Sequence, residues 1–221
     1  MQKIFRNLLA IIILAGLLPA APAAAQPLPQ DVITVGSGTA SAGQTVDIPV
    51  FIRDTSGTPL GVDQPPGSKI QSYSIKVNYS PATAVQSVTF TRAGITTSLT
   101  PTFESSPSGA GTISLLDTFQ ESTNPIPFTL NAAAPGNQVA HLVFTLSPSA
   151  TPGIITLTLD PTLTQLTDQA GSGATKETVA AGNLFLVNGT ITVTAFVPAL
   201  SMWVLILLGA SLALIAIRTR L

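Results

Sequence analysis

An all-β sandwich of about nine short strands, set between two apolar targeting segments, is the architecture predicted for this 221-residue chain. Three observations carry that expectation. Between residues 31 and 194 apolar side chains recur at alternate positions in several separate runs, the period of a strand with one buried face. The same stretch is rich in Thr, Ser, Gly, Pro and Val and is punctuated by turn-forming residues throughout. Nothing in it sustains a helical period, and no repeat of the solenoid kind is present. Many short strands joined by turns point to a jelly-roll or immunoglobulin-like β-sandwich.

Residues 1–25 read as a cleaved secretory signal peptide, helical in form. Lys3 and Arg6 give a positive start, residues 8–18 an apolar run too short to span a bilayer, and Ala23-Ala24-Ala25 a small-residue cleavage site before Gln26. Residues 26–30, Gln-Pro-Leu-Pro-Gln, form a linker.

The sandwich is expected over 31–195. Asp31-Val-Ile-Thr-Val35 reads as its first strand and Gly36-Ser-Gly38 as a turn. In 45–53, Val46, Ile48, Val50 and Ile52 point one way; Asp47, Phe51 and Arg53 point the other. Pro49 lies within that run and cannot donate a ladder bond, so an edge strand or a bulge is expected. Residues 54–67 are a long loop dense in Pro and Gly. The clearest alternation is 70–79, with Tyr73, Ile75, Val77 and Tyr79 inward and Ser72, Ser74, Lys76 and Asn78 outward. Further strands are expected at 85–91, 112–119, 139–146 and 154–159, with a short run at 128–130. The last two, 184–187 and 190–194, flank Asn188-Gly189, the strongest short hairpin signal, because both residues tolerate positive φ.

The chain closes on Val197-Pro198-Ala199-Leu200-Ser201-Met202-Trp203, an apolar run to Ile217, and a basic end carrying Arg218 and Arg220. As a helix, 197–217 would rise roughly 30 Å, enough to cross a bilayer core. Trp203 suits an interfacial position, and the two arginines suit the cytoplasmic side. A transmembrane helix over 203–217 is therefore expected. Motif, apolar helix and basic end together resemble the IPTL-type sorting signal of the PEP-CTERM/exosortase group in Gram-negative bacteria. The resemblance implies that an exosortase processes the tail and passes the protein to the cell surface. Val197, Ala199 and Val204 depart from the residues usual at those places. A plain single-span anchor is the other reading.

The order of the strands resembles the cohesin domain of cellulosome scaffolds. The matching pieces are Val35-Gly36 with Ala42-Gly43 and 44–50, then 70–81, Leu142-Val-Phe144-Thr-Leu146, Pro152-Gly153 with 154–157, and Asn188-Gly189 with 190–193. The resemblance implies a jelly-roll fold akin to carbohydrate-binding modules, and a docking role. The chain departs from scaffold cohesins in its single copy, its membrane tail and its longer loop at 54–67.

Composition narrows the chemistry. Cysteine is absent, which excludes disulfides and thiol catalysis. Between the targeting ends stand five basic residues and all ten acidic ones, a formal charge of −5 that offers no nucleic-acid footprint. His141 is the sole histidine, on a face opposite Leu142, Phe144 and Leu146, and no Gly-x-Ser-x-Gly elbow accompanies it. Asp54 and Asp63 share the long loop and could contribute to a Ca²⁺ site. Glu104, Asp117 and Glu121 read as solvated charges, and Phe51 as the one aromatic open to sugar stacking.

These readings describe a non-enzymatic, exported module that adheres or docks to an extracellular protein or matrix polysaccharide. Signal peptidase and an exosortase would process it, the membrane would hold it through 203–217, and no resident cofactor is expected beyond the Ca²⁺ option. The outward row Ser72, Ser74, Lys76 and Asn78 is the candidate docking face. An accessory module or weak hydrolase of extracellular polysaccharide is the alternative.

Overall fold

The computed structural model describes residues 28–169 and 173–195. The signal peptide at 1–25 and the membrane helix at 203–217 lie outside the described residues. So does every residue of the expected sorting signal: Val197, Pro198, Ala199, Leu200, Ser201, Trp203, Arg218 and Arg220. Among the described residues no helix is long and apolar enough to cross a membrane.

Fourteen strands are found there, more than the nine expected. In order they are β1 (Asp31–Val35), β2 (Gly38–Ser41), β3 (Thr45–Arg53), β4 (Ser72–Ser80), β5 (Val85–Arg92), β6 (Phe103–Ser105) and β7 (Ser108–Gly109). Then come β8 (Thr112–Thr118), β9 (Asn137–Leu146), β10 (Gly153–Leu159), β11 (Gln165–Thr167), β12 (Lys176–Thr178), β13 (Leu184–Val187) and β14 (Gly189–Thr194). Most of the unexpected ones are two to four residues long, too short to display an alternation. The short run at 128–130 forms no strand, since Pro125 and Pro127 interrupt the chain just before it.

Two sheets face each other. One has the order β13-β1-β3-β9-β5; the other runs β12-β11-β4-β10-β14-β2, with β8 on the free side of β4 and β6 and β7 on β8. The expected alternation holds in β3, β4 and β9, whose inward residues Ile48, Val50, Ile52, Ile75, Val77, Leu142, Phe144 and Leu146 have no exposed surface. Tyr79 is only half-buried and meets Phe144 edge-on, ring centroids 5.5 Å apart.

Of the two arrangements expected around Pro49, an edge strand or a bulge, the second is found: β3 lies between β1 and β9 and carries a register shift next to the proline. Its ring is tolerated because β1 pairs with β3 only as far as Val35 with Val50. The Pro49 carbonyl accepts the Gly36 N–H at 2.8 Å, so the missing donor points to a side where the ladder has already ended. The register shift falls between Val50 and Phe51.

Asn188-Gly189 is not a hairpin. β13 runs parallel to β1 in one sheet, and β14 pairs with β10 and β2 in the other, so the dipeptide carries the chain across the sandwich. Glycine is required there by close approach, because a Cβ on Gly189 would collide with the Gly36 carbonyl oxygen. The Asn188 side chain accepts the Leu159 N–H at 2.9 Å, which ties the crossing to β10.

Candidate functional site

The outward face of the larger sheet is built on β4. Ser72, Ser74, Lys76 and Asn78 pair across to Thr118, Leu116, Ser114 and Thr112 of β8. On the other side β10 and β11 lie end to end along β4, as one strand position interrupted by residues 160–164. That interruption reaches over the face. The Ser74 hydroxyl donates to the Leu163 carbonyl at 2.9 Å, and Lys76 Nζ stands 3.5 Å from Asp160 Oδ2. The hydroxyl and N–H of Thr162 bond to Asp160 and hold its carboxyl down at about 2.

The four outward residues are therefore half-buried and partly engaged, where free exposure was expected. Ser72 too is engaged, donating to the Asp117 carbonyl at 2.9 Å. What stands open beside the row is apolar: Phe103 is 54% and Leu163 50% exposed. Phe103, Leu116, Ser74, Gln165 and Lys176 border a shallow cleft of about 220 Å³. Phe51, the expected sugar-facing aromatic, is half-buried; among the described residues Phe103 and Phe185 are the exposed rings. No alternation marks Phe103, because β6 is three residues long.

The titratable groups tell a different story inside. Asp31, Asp54, Asp117 and Glu177 have no exposed surface. Asp117 is thus a core residue rather than a solvated charge. It continues the inward set of Ile113 and Leu115 and faces Tyr73 across β4 and Glu104 across β6. Arg92 closes this group from the other sheet, its Nε 3.0 Å from Glu104 and its Nη1 bonded to the Thr96 and Leu99 carbonyls. Neither Asp117 oxygen nor the Tyr73 hydroxyl makes a hydrogen bond. Burial pushes Asp117 up to about 6 and the Tyr73 hydroxyl well above its usual range.

The second group joins Asp31, Asp54 and Glu177. Asp31 Oδ1 accepts the Thr55 N–H at 2.7 Å, Glu177 Oε1 the Leu60 N–H at 2.8 Å, and Asp54 Oδ2 the Val62 N–H at 2.7 Å. The long loop is thereby held by carboxylates from β1, β12 and its own first residue. Thr58 and Leu60 of that loop are buried with them. Asp63, at the exposed rim, accepts the Gly57 N–H at 2.9 Å. Asp54 and Asp63, which share the loop, each accept one of its backbone N–H groups. Among the described residues no group of three or more His, Cys, Asp or Glu is arranged to hold a metal ion. Extending the alternation of Val35 and Ile33 back to Asp31 would have placed that acid inside; no comparable signal marks Glu177.

His141 is half-buried on the outer face of the smaller sheet, its Nδ1 2.8 Å from Asp47 Oδ2. No serine hydroxyl bonds to it among the described residues.

No family model matches the chain, and no curated protein does. Solved structures do. The seventh type I cohesin of ScaB from Pseudobacteroides cellulosolvens is 20% identical, with a TM-score of 0.53 over 78% of this chain and 97% of that one. The third cohesin of ScaC from Acetivibrio cellulolyticus, solved in complex with the ScaB dockerin, is 18% identical, with a TM-score of 0.53 over 75% of this chain and 100% of that one. CaCohA2 from Clostridium acetobutylicum is 22% identical, with a TM-score of 0.51 over 76% of this chain and 92% of that one. The chain has the fold of these cohesin domains.

Proposed function

We propose that this protein is a non-catalytic docking module, exported and sorted to the cell surface, that binds an extracellular protein through the outward face of β4, β8 and β10. The observation that carries the reading is that face itself. It is a broad surface of Ser, Thr, Asn and Gln, with Lys76 paired to Asp160 and Lys176 at the cleft, and it displays Phe103 at a shallow cleft and Leu163 over Ser74. Exposed apolar anchors within a polar rim are what a protein partner fits. The fold likeness supports the same class of activity, since one of the similar structures is a cohesin solved with a dockerin. A single exposed ring on this face, rather than a row of them, favours protein over polysaccharide. The tail 197–221, with its basic end at Arg218 and Arg220, supports export, with exosortase processing at the sorting motif and the membrane as a station on the way.

Phe103→Glu combined with Leu163→Arg tests the reading, because both side chains project into solvent and the bonds at residue 163 are made by its backbone. Capture of the partner from the native secretome should be lost while the unfolding midpoint stays within about 2 °C. Undiminished capture would move the docking surface elsewhere. Cleavage of glycans by the unaided protein would overturn the non-catalytic reading.

A further inference from the structure

The group Asp31, Asp54 and Glu177 raises a question that docking does not answer. Each of the three has one oxygen bonded to a loop N–H and the other buried without a partner: Asp31 Oδ2, Asp54 Oδ1 and Glu177 Oε2. The pocket is tight, for a Cβ on Gly61 would stand 2.5 Å from that free Asp54 oxygen. The charged groups facing it are all acids: Glu177 from β12, and Asp54 with Asp63 behind it from the loop. Lys176 turns away to the outer cleft of the larger sheet, and Arg53 to the outer face of the smaller one. The ion pairs among the described residues lie elsewhere.

Three negative charges packed together in a dry pocket without a cation are not a stable arrangement. Something must neutralise them. A proton is the neutralising group that the carboxyls can carry themselves.

We propose that Asp31 and Glu177 share one proton and so form a pH-sensitive latch that clamps the loop 54–67 and β12 onto the start of β1. In the closed latch the Asp31 carboxyl donates its O–H to the Glu177 carboxylate, while the other oxygen of each still accepts its loop N–H. When hydroxide removes that proton, water leaves and two carboxylates remain face to face. The repulsion falls on the very groups that hold Thr55 and Leu60, so the loop is the part that loosens. Burial, and then the neighbouring Glu177, push Asp31 up to about 9. The sign follows: with the folded-state value raised, the latch contributes fully below about pH 4 and its contribution is lost as the pH rises towards about 9. The latch does not depend on docking.

The test uses the full-length chain in mild detergent. Exchange protection of the Leu60 and Val62 amides, corrected for intrinsic rates, is followed from pH 6.5 to 9 for the wild type, Asp31→Asn and Glu177→Gln. Each substitution supplies a permanent N–H donor where the shared proton sits and removes one titrating group. Wild-type protection should fall by up to about tenfold per pH unit, and in either variant it should change less than about twofold. A flat wild-type profile, or a variant that keeps the wild-type slope, overturns the proposal. If Asp31→Asn fails to fold, Glu177→Gln decides, and if both fail the wild-type profile decides alone. A repeat in millimolar Ca²⁺ completes the test. Protection unchanged by calcium supports the proton; a slope abolished by calcium would make the pocket a cation site and sink the latch.

Discussion

Asp31 and Asp117 make an instructive pair. Each ends the inward set of a strand, Asp31 before Ile33 and Val35, Asp117 after Ile113 and Leu115, and neither has any exposed surface. The resemblance stops at their neighbours. Asp31 accepts a backbone N–H and otherwise faces acids; Asp117 accepts nothing, yet lies beside the Tyr73 phenol with Arg92 near it. Burial raises both, Asp31 to about 9 and Asp117 only to about 6. Burial is the main cause in both. The neighbours add to it at Asp31, where Glu177 raises it further, and offset it at Asp117, where Tyr73 and Arg92 lower it. The same difference assigns the two acids different work. Asp31 organises a loop through its hydrogen bonds, whereas Asp117 is a polar guest among apolar residues.

Substitutions can sharpen that contrast, and a core residue sets their scale. Ile75 is fully buried on the inner face of β4, two residues beyond Tyr73 and paired across to Leu115. Ile75→Ala should cost about 2–5 kcal/mol in denaturant unfolding, equally at every pH, as a large-to-small change with no titrating partner. Asp31→Ala should cost about 2–3 kcal/mol at pH 5, because it strands the Thr55 N–H and leaves Glu177 without its proton donor. An Asp31→Ala protein as stable as the wild type would reduce the loop attachment to packing.

Asp117→Asn should change stability by about 1 kcal/mol or less at pH 4, since it exchanges one neutral buried group for another of the same shape. Its effect lies in the pH profile. Asp117 is raised, so its contribution is whole below about 4 and lost as the pH climbs to about 6. The variant should remove that part of the thermal-melting profile and leave the part between 6 and 9, which belongs to Asp31. Removal of both parts together would show that the two groups are one coupled system. Smallest of all, Lys76→Ala on the outer face of the same strand should stay within about half a kcal/mol, as a partly exposed ion pair.

Much of this was legible in the chain. The alternation in 45–53, 70–79 and 139–146 places Ile48, Ile75 and Phe144 in the core, where the structure has them. Asp31 and Asp117 were legible by the same rule, had it been extended one step past an apolar residue. The misreadings have physical causes. Asn-Gly suits a tight turn, but at 188–189 the glycine answers to Gly36, far off in sequence. The outer face of β4 looks free in sequence because Asp160 and Leu163, which engage Lys76 and Ser74, arrive from a distant part of the chain. Glu177 gave no sign, since a three-residue strand carries no period.

The difference between the two acids can be measured without altering either. Side-chain carboxyl ¹³C shifts of the wild-type protein, followed from pH 3 to 10, report each titration separately. Asp117 should titrate near 6, and Asp31 should remain protonated through neutral pH and titrate only towards about 9, its shift moving together with that of Glu177. An Asp31 carboxyl already ionised at pH 5, with Glu177 titrating independently of it, would contradict the account.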